Sequence, residues 1–252
     1  MIHGSRDASA LASARGILFD LDGVLTPTAE VHMRAWARLF APVLAAHGAE
    51  PYTDADYFAY VDGKPRYDGV RSMLAARGIV LPEGETTDGP DVDTVHGLGN
   101  RKDVAFTAEV DEHGVRPYDG SVAFLAAVEA AGLAVAVVTS SRNGQRVLTA
   151  AGLRDRFEVV VDGIHSAAHG LAGKPSPATY VEGAHLLGLE PQQCVVVEDA
   201  HSGVAAGRAG GFLLTVGVDR GAGAESLLES GADLVVDDLA ELIPSLPTGG
   251  AA

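Results

Sequence analysis

The segment Gly16-Ile17-Leu18-Phe19-Asp20-Leu21-Asp22-Gly23-Val24-Leu25-Thr26 decides how the rest of the chain is read. An apolar run stops at two aspartates spaced i, i+2, and a glycine follows at once. Residues i and i+2 of a strand share a face, so this spacing predicts two carboxylates side by side where a strand ends. Their mutual repulsion is unfavourable unless a cation or a reaction needs them. The segment therefore predicts a site at the end of a buried strand.

Outward from it, short apolar runs recur at 134–140, 158–162, 194–199, 212–218 and 234–236. Most are continuous, not alternating, which marks strands covered on both faces. Helical patterns at 121–131, 145–151, 177–187 and 202–209 fall between them. This alternation predicts an α/β fold, a central and mainly parallel sheet with helices on both sides. Residues 33–116 break the rhythm: they show helical spacing at 31–44 and 69–77 and no clear strand. A small helical domain inserted after the first strand is expected there, with an exposed acidic loop at 81–93. The expected division is a core domain of 14–33 and 116–245, a helical domain of 34–115, and flexible termini at 1–13 and 246–252.

Composition narrows the partners. A chain of 252 residues, 47% hydrophobic and 21% charged, can bury a sizeable globular core. Its formal charge of -16 opposes binding to nucleic acid or to an anionic membrane surface, and any anionic substrate needs a locally positive pocket. Cys194, the one cysteine, sits in a valine-rich run and reads as a buried filler, which excludes an internal disulfide. Neither a leader-like apolar segment nor a run long enough to span a bilayer is present, so a cytoplasmic location is the expectation.

Polar clusters fall where the predicted strands end, the edge at which open α/β sheets bind ligands. Asp20 can attack phosphorus and form an aspartyl-phosphate, and Asp22 can shuttle a proton to the substrate oxygen. Glu198-Asp199 close the run at 195–197 and could share a hard cation such as Mg2+ with Asp20, or serve as a cap for the helix near Ser202. Thr139-Ser140-Ser141-Arg142-Asn143-Gly144 close the run at 135–138, where hydroxyls and N–H groups bind an anion or cap a helix. Lys174, in Gly173-Lys174-Pro175-Ser176-Pro177, can neutralise carboxylate and phosphate charge from a stiff loop, with Ser176 and Pro177 suited to a helix start. In the helical insert, Asp62-Gly63-Lys64-Pro65-Arg66 brings two cations that could grip a second phosphate. His32 and Trp36, one helical turn apart, are expected to pack together, and His201 to lie near a helix start. Asp103, Glu109, Asp111 and Glu112 read as a solvated acidic face.

In this order the clusters resemble the haloacid dehalogenase (HAD) superfamily of phosphotransferases. Phe19-Asp20-Leu21-Asp22-Gly23-Val24 matches its first motif, Thr139 the second, Lys174 the third and Glu198-Asp199 the fourth. Asp20 through His32, followed by Arg34-Ala35-Trp36, is similar to the β-phosphoglucomutase branch, as are Asn143-Gly144 and Gly63 with Arg66. The resemblance implies a Rossmann-like HAD core with a helical cap inserted after the first strand, and a monomer using Mg2+ on a small sugar phosphate. The implied activity is conversion of β-glucose 1-phosphate to glucose 6-phosphate through an aspartyl-phosphate and a glucose 1,6-bisphosphate. A HAD-type phosphatase is the alternative. Asp20 is implied as nucleophile and Asp22 as general acid/base. Thr139, Ser140, Ser141, Arg142, Asn143 and Lys174 would hold the transferring phosphate. Asp20, the carbonyl of Asp22, Glu198 and Asp199 would hold the metal. Arg66, with Gly63 and Lys64, would take the retained phosphate, and Thr28 and His32 would lie near the cap hinge. Pro27 stands where that branch commonly has an acid, and Asp62 where a cap lysine is expected. Folds of this kind place the first and fourth strands side by side, with the chain order reversing between them.

Overall fold

Runs that are apolar without alternation need cover on both faces, and each of them becomes a strand inside one sheet. The structure, a computed structural model, describes residues 2–4 and 8–247. Its strands are β1 (His3–Gly4), β2 (Gly16–Phe19), β3 (Ala134–Val138), β4 (Val159–Val161), β5 (Cys194–Glu198), β6 (Leu214–Val218) and β7 (Leu234–Val236). They lie in the order β1-β7-β6-β5-β2-β3-β4, parallel throughout except where β1 pairs antiparallel with β7.

Between β2 and the core helices comes a helical insert: α1 (Thr28–Ala46), a short α2 (Asp54–Asp56) continued by a π turn, α3 (Arg66–Ala76) and α4 (Val95–His113). The sheet is flanked by α5 (Asp119–Ala130), α6 (Gly144–Ala150), α7 (Gly163–Ala168), α8 (Ala178–Leu186), α9 (His201–Ala209) and α10 (Ala224–Glu229). Successive residues of β2 divide between the two faces. Ile17 and Phe19 join Phe124, Leu125 and Leu148 on one side, while Leu18 meets Tyr180, Ala184 and Ala206 on the other. The insert closes on a separate apolar cluster built from Trp36, Leu39, Phe40, Met73 and Leu98.

The α/β reading therefore holds; β2 and β3 stop short of their predicted runs, just before the polar residues Asp20 and Thr139. Residues 1–13, expected to be flexible, include two ordered pieces: β1, and a 3-10 helix at Ala8–Ser13 whose Leu11 is fully buried. One leucine in an otherwise small and polar segment was enough to dock it. Of the expected flexible C-terminal segment, residues 248–252 lie outside the described residues. Cys194 is buried, and burial pushes its thiol up to about 11. Among the described residues, no helix is long and apolar enough to cross a membrane.

Phe19 is the last strand residue before the paired aspartates, is fully buried, and meets Phe124 and Phe157 edge to face. Phe19→Ala is expected to cost about 3–5 kcal/mol of stability, measured by urea unfolding.

Candidate active site

The register of the sheet brings the polar clusters together. Gly16 is level with both Cys194 and Ala134, so β2, β3 and β5 end at one height. Asp20 N–H still donates to Val197 O at 2.9 Å, and Thr139 N–H to Val161 O at 2.9 Å. The chain runs outward from β2 to β3 and β4, then returns to β5 on the other side of β2. That reversal opens a crevice at the β2/β5 strand ends. After Asp22 the backbone must turn at once. Gly23 does so with φ of 88°, and a Cβ there would run into the Asp199 carboxylate. Gly203 serves a similar need in α9, where a Cβ would overlap the Glu198 carboxylate.

Three carboxylates converge in the crevice. Asp20, Glu198 and Asp199 each offer an oxygen within 4.8 Å of the others. Lys174, 4% exposed, donates to Asp20 Oδ1 and to Glu198 Oε1. Tyr180 Oη also donates to Glu198 Oε1 at 2.8 Å, while the N–H groups of Asp199 and Ala200 donate to Oε2 at 3.1 Å. Glu198 thus has donors on both oxygens and is fixed in place. The cap residue of α9 is Ala200, so Glu198-Asp199 do not serve as its N-cap.

One ammonium cannot balance this charge. Burial, followed by the neighbouring carboxylates, pushes Asp199 well above the ordinary carboxylate range. Asp20 is raised as well, chiefly by burial, although Lys174 opposes the shift. Lys174 is pushed up as well: burial disfavours its charge, but Asp20 and Glu198 outweigh that. The oxygen-only donor set, its excess negative charge and its close spacing all fit a hard divalent cation.

The Asp22 side chain is not part of this group. It turns to accept from the Thr28 hydroxyl, lies 3.4 Å from Thr139 Oγ1, and faces His32 Nε2 at 3.4 Å. Burial would raise this carboxyl, but His32, Thr28 and Lys102 together hold it at about 2. Thr28, expected at the substrate, spends its hydroxyl on Asp22 and Thr26 and does not line the pocket. Burial and then Lys102 hold His32 below its usual value. Since Lys102 approaches Nδ1, the ring proton of the neutral imidazole belongs on Nε2, toward Asp22.

The insert covers the crevice. Ser140 Oγ donates to Gly63 O at 2.9 Å, and Ser202 Oγ to Asp62 O at 3.3 Å. Arg66 donates to Asp103, which also accepts from Asn143 Nδ2 at 2.7 Å. Lys64 lines the pocket while donating to Ser72 Oγ at 2.8 Å. Ser141 and Arg142 complete the loop after β3, with Ser141 N–H on Thr139 Oγ1 at 3.0 Å. The space between the insert and the crevice is about 70 Å³.

Several placements differ from expectation. Asp103 is not on a solvated face, because the register of α4 turns it toward Arg66 and Asn143. His32 stacks on Phe106 with ring centroids 4.0 Å apart, and Trp36 on Phe40 at 5.3 Å. Lys102 escaped notice among the charges of α4, although it is only 4% exposed and lies over the rings of Phe106 and Trp36. Burial and then Arg66 bring its ammonium down to about 7. Tyr180 carried no signal apart from the helical spacing of α8.

A mainly parallel switch-point sheet with acids from two strand ends, a buried lysine and a helical cover is the arrangement of a haloacid dehalogenase (HAD) superfamily member. A haloacid dehalogenase-like hydrolase family profile matches residues 14–211, and the chain belongs to that family. It is 48% identical over 240 residues to a β-phosphoglucomutase of Mycobacterium tuberculosis, covering 91% of each chain. It is 30% identical over 242 residues to hexitol phosphatase A of Escherichia coli, covering 93% of this chain and 96% of that one. The crystal structure of a β-phosphoglucomutase from Clostridium difficile superimposes with a TM-score of 0.73 at 25% identity, covering 91% and 93% of the two chains.

Asp20 and Asp199 bind protons more tightly than free aspartates, so protons compete with a cation there and binding weakens as pH falls. At a concentration 100-fold above Kd, Mg2+ should raise Tm by about 5–10 °C at pH 7.5. Scanning calorimetry should find a clearly smaller rise at pH 5; equal rises would place the cation elsewhere.

Lys102 behaves oppositely, as a base whose folded value lies below its unfolded one. Its burial disfavours folding most below about pH 7, and the cost fades as pH climbs toward the unfolded value. Lys102→Met should therefore stabilise the protein by about 1–4 kcal/mol at pH 6 and by less near pH 10, read from urea unfolding.

Proposed function

We propose that this chain is a magnesium-dependent β-phosphoglucomutase, converting β-D-glucose 1-phosphate to glucose 6-phosphate. The observation that carries this reading is the burial of the reaction centre under the insert. Asp20 is 6% exposed beneath an insert that brings Lys64, Arg66 and Lys102 to the same pocket. A phosphotransferase that must return its phosphoryl group to sugar needs water excluded and a second anion gripped. Its likeness to mutases of the same length supports this reading.

In the forward half-reaction the sugar 6-hydroxyl attacks phosphorus of phospho-Asp20. The O–P bond to Asp20 breaks as the new one forms, and the hydroxyl proton passes to Asp22. After the bisphosphate reorients, the Asp20 carboxylate attacks the 1-phosphoryl group and Asp22 returns the proton to the departing oxygen. Asp22 is strongly acidic without ligand, and the phosphoryl charge beside it raises its affinity for a proton. Thr28 and His32 keep its carboxylate aimed at the reacting oxygen. Asp20, Glu198 and Asp199 would hold Mg2+, which neutralises phosphoryl charge, and Lys174 keeps Asp20 and Glu198 apart but adjacent. The space under the insert is far below the roughly 300 Å³ of a small-ligand site, so the insert acts as a cap that opens for substrate.

A phosphatase is the second reading, and one residue favours it. Asp62 lines the pocket, with its carboxyl pushed up to about 7 chiefly by burial, where the mutase branch carries a cation. An acid at that turn weakens the hold on a second phosphate. Both glucose 1-phosphate anomers, given with Mg2+ and a trace of glucose 1,6-bisphosphate, separate the two. Glucose 6-phosphate from the β anomer supports the mutase, and free phosphate the phosphatase. Asp20→Ala should lose at least 10^4-fold in kcat/KM. Arg66→Ala should cost the mutase reaction about 100-fold, but hydrolysis of a small phosphate ester far less; equal losses would remove Arg66 from the distal phosphate.

A further inference from the structure

The loop that follows Asp22 closes on itself. Gly23 N–H donates to Thr26 O at 2.7 Å, and the N–H groups of Leu25 and Thr26 both donate to Leu21 O at 3.0 Å. Three successive carbonyls of the loop take donors from elsewhere in the chain. Val24 O accepts from Ser121 Oγ at 2.6 Å and Leu25 O from Tyr118 N–H at 3.1 Å, both at the start of α5. Gly23 O accepts from Arg220 Nε at 2.9 Å.

Arg220 reaches the loop from a turn just after β6. Asp219 Oδ1 accepts from the N–H groups of Gly221 and Gly223, at 2.8 and 3.0 Å, so that turn is itself fixed. Arg220 Nη1 donates to Asp237 O at 3.0 Å, beyond the end of β7, and its guanidinium carbon lies 3.9 Å from the centroid of the Tyr118 ring. Gly23 belongs to the chain entering the insert ahead of α1, and Tyr118 to the chain leaving it after α4. One planar group anchored on the core therefore grips both crossings. Two donors spread across a plane whose face also covers an aromatic ring are a property of arginine that lysine lacks.

The grip bears on Asp22. Asp22 forms a bridge to Thr26, and Thr26 Oγ1 lies 2.7 Å from the Thr28 hydroxyl that donates to the Asp22 carboxylate. A loop free to swing with the insert would carry Asp22 with it, whereas a general acid must stay within hydrogen-bond reach of one oxygen. We propose that Arg220 is a positioning residue for phosphoryl transfer, which pins Gly23 and Tyr118 to the core and so keeps Asp22 aimed while the insert moves. The inference rests on the acid–base role proposed for Asp22, and is indifferent to whether sugar or water finally takes the phosphoryl group.

Two aryl phosphates test it, each followed with Mg2+ through the first turnover. In that step a bond forms from Asp20 to phosphorus, and the aryl oxygen leaves with the electron pair of its own bond to phosphorus. Dinitrophenolate departs without a proton, whereas the oxygen of phenyl phosphate draws one from Asp22 as it leaves. Arg220→Met, which keeps a long stem but no guanidinium, should slow phenyl phosphate about 30-fold at saturation and 2,4-dinitrophenyl phosphate less than about threefold. Arg220→Lys should fall between wild type and Arg220→Met, and carries the test if Arg220→Met does not fold. In an Asp22→Asn background Arg220→Met should add less than about threefold, because a residue that acts through Asp22 then has nothing left to position. Equal losses with the two esters, or the full loss again in that background, would overturn the inference and leave Arg220 a staple of the fold. Asp22→Asn alone should separate the two esters; if it does not, the role given to Asp22 fails first and the inference fails with it.

Discussion

The rest of the site depends on a single buried ammonium. Lys174 lies between Asp20 and Glu198, and without it the crevice would hold carboxylates with nothing to oppose them. Burying such charges unpaired would strongly destabilise the fold, so the lysine is as much a condition for folding as a part of the site. It cannot complete the balance, however. Asp20 and Asp199 are displaced upward, first by burial and then by the neighbouring carboxylates. The unbalanced negative charge is what gives the crevice its affinity for a cation, and through the cation for a phosphate. The repulsion implied by the spacing of Asp20 and Asp22 is thus resolved unequally. Asp20 enters the acid cluster, whereas Asp22 turns aside to Thr28 and His32.

Much of this arrangement was legible in the chain. Continuous valine runs ending in acids or hydroxyls place the strands and their polar ends, since a parallel strand buried on both faces has no other way to be written. Once β2, β3 and β5 are level, Asp20, Thr139 and Glu198 must be neighbours. The cap chemistry was harder to read, for a physical reason. On a helix that bridges two apolar clusters, burial depends on rotation by a fraction of a turn. Lys102 and Asp103 are adjacent in sequence, yet one points among aromatic rings and the other toward Arg66. Nothing in the local composition separates them from the exposed charges around them. The ordered segment before β2 was missed for a related reason, since only Leu11 among small residues betrays its docking.

The insert also changes the meaning of its own turn. Lys64 and Arg66 looked like two free cations, but each already has a partner, Ser72 and Asp103 respectively. A phosphate entering the pocket would have to draw Arg66 from Asp103 or share it. Asp103 in turn holds Asn143 of the core, so this exchange would be felt across the junction. Asp62 adds an acid facing the cluster from the opposite wall. The pocket is therefore not uniformly positive on its cap side, and discrimination between ligands depends on where their charges fall relative to Asp62.

Sealing and admission make opposite demands on one junction. The hydrogen bonds from Ser140 to Gly63 and from Ser202 to Asp62 are few and neutral, and each contributes about 0.5–1.5 kcal/mol. Bonds of that size can hold a lid closed without preventing its release. They join backbone carbonyls of the turn at 62–63, so these two bonds do not draw on the Lys64 and Arg66 side chains. The apolar hold on the insert lies at Phe106 and Val110 of α4, which pack in the core cluster, while the edge over the crevice is joined by polar contacts, an arrangement that lets the same fold exclude water and admit an anion.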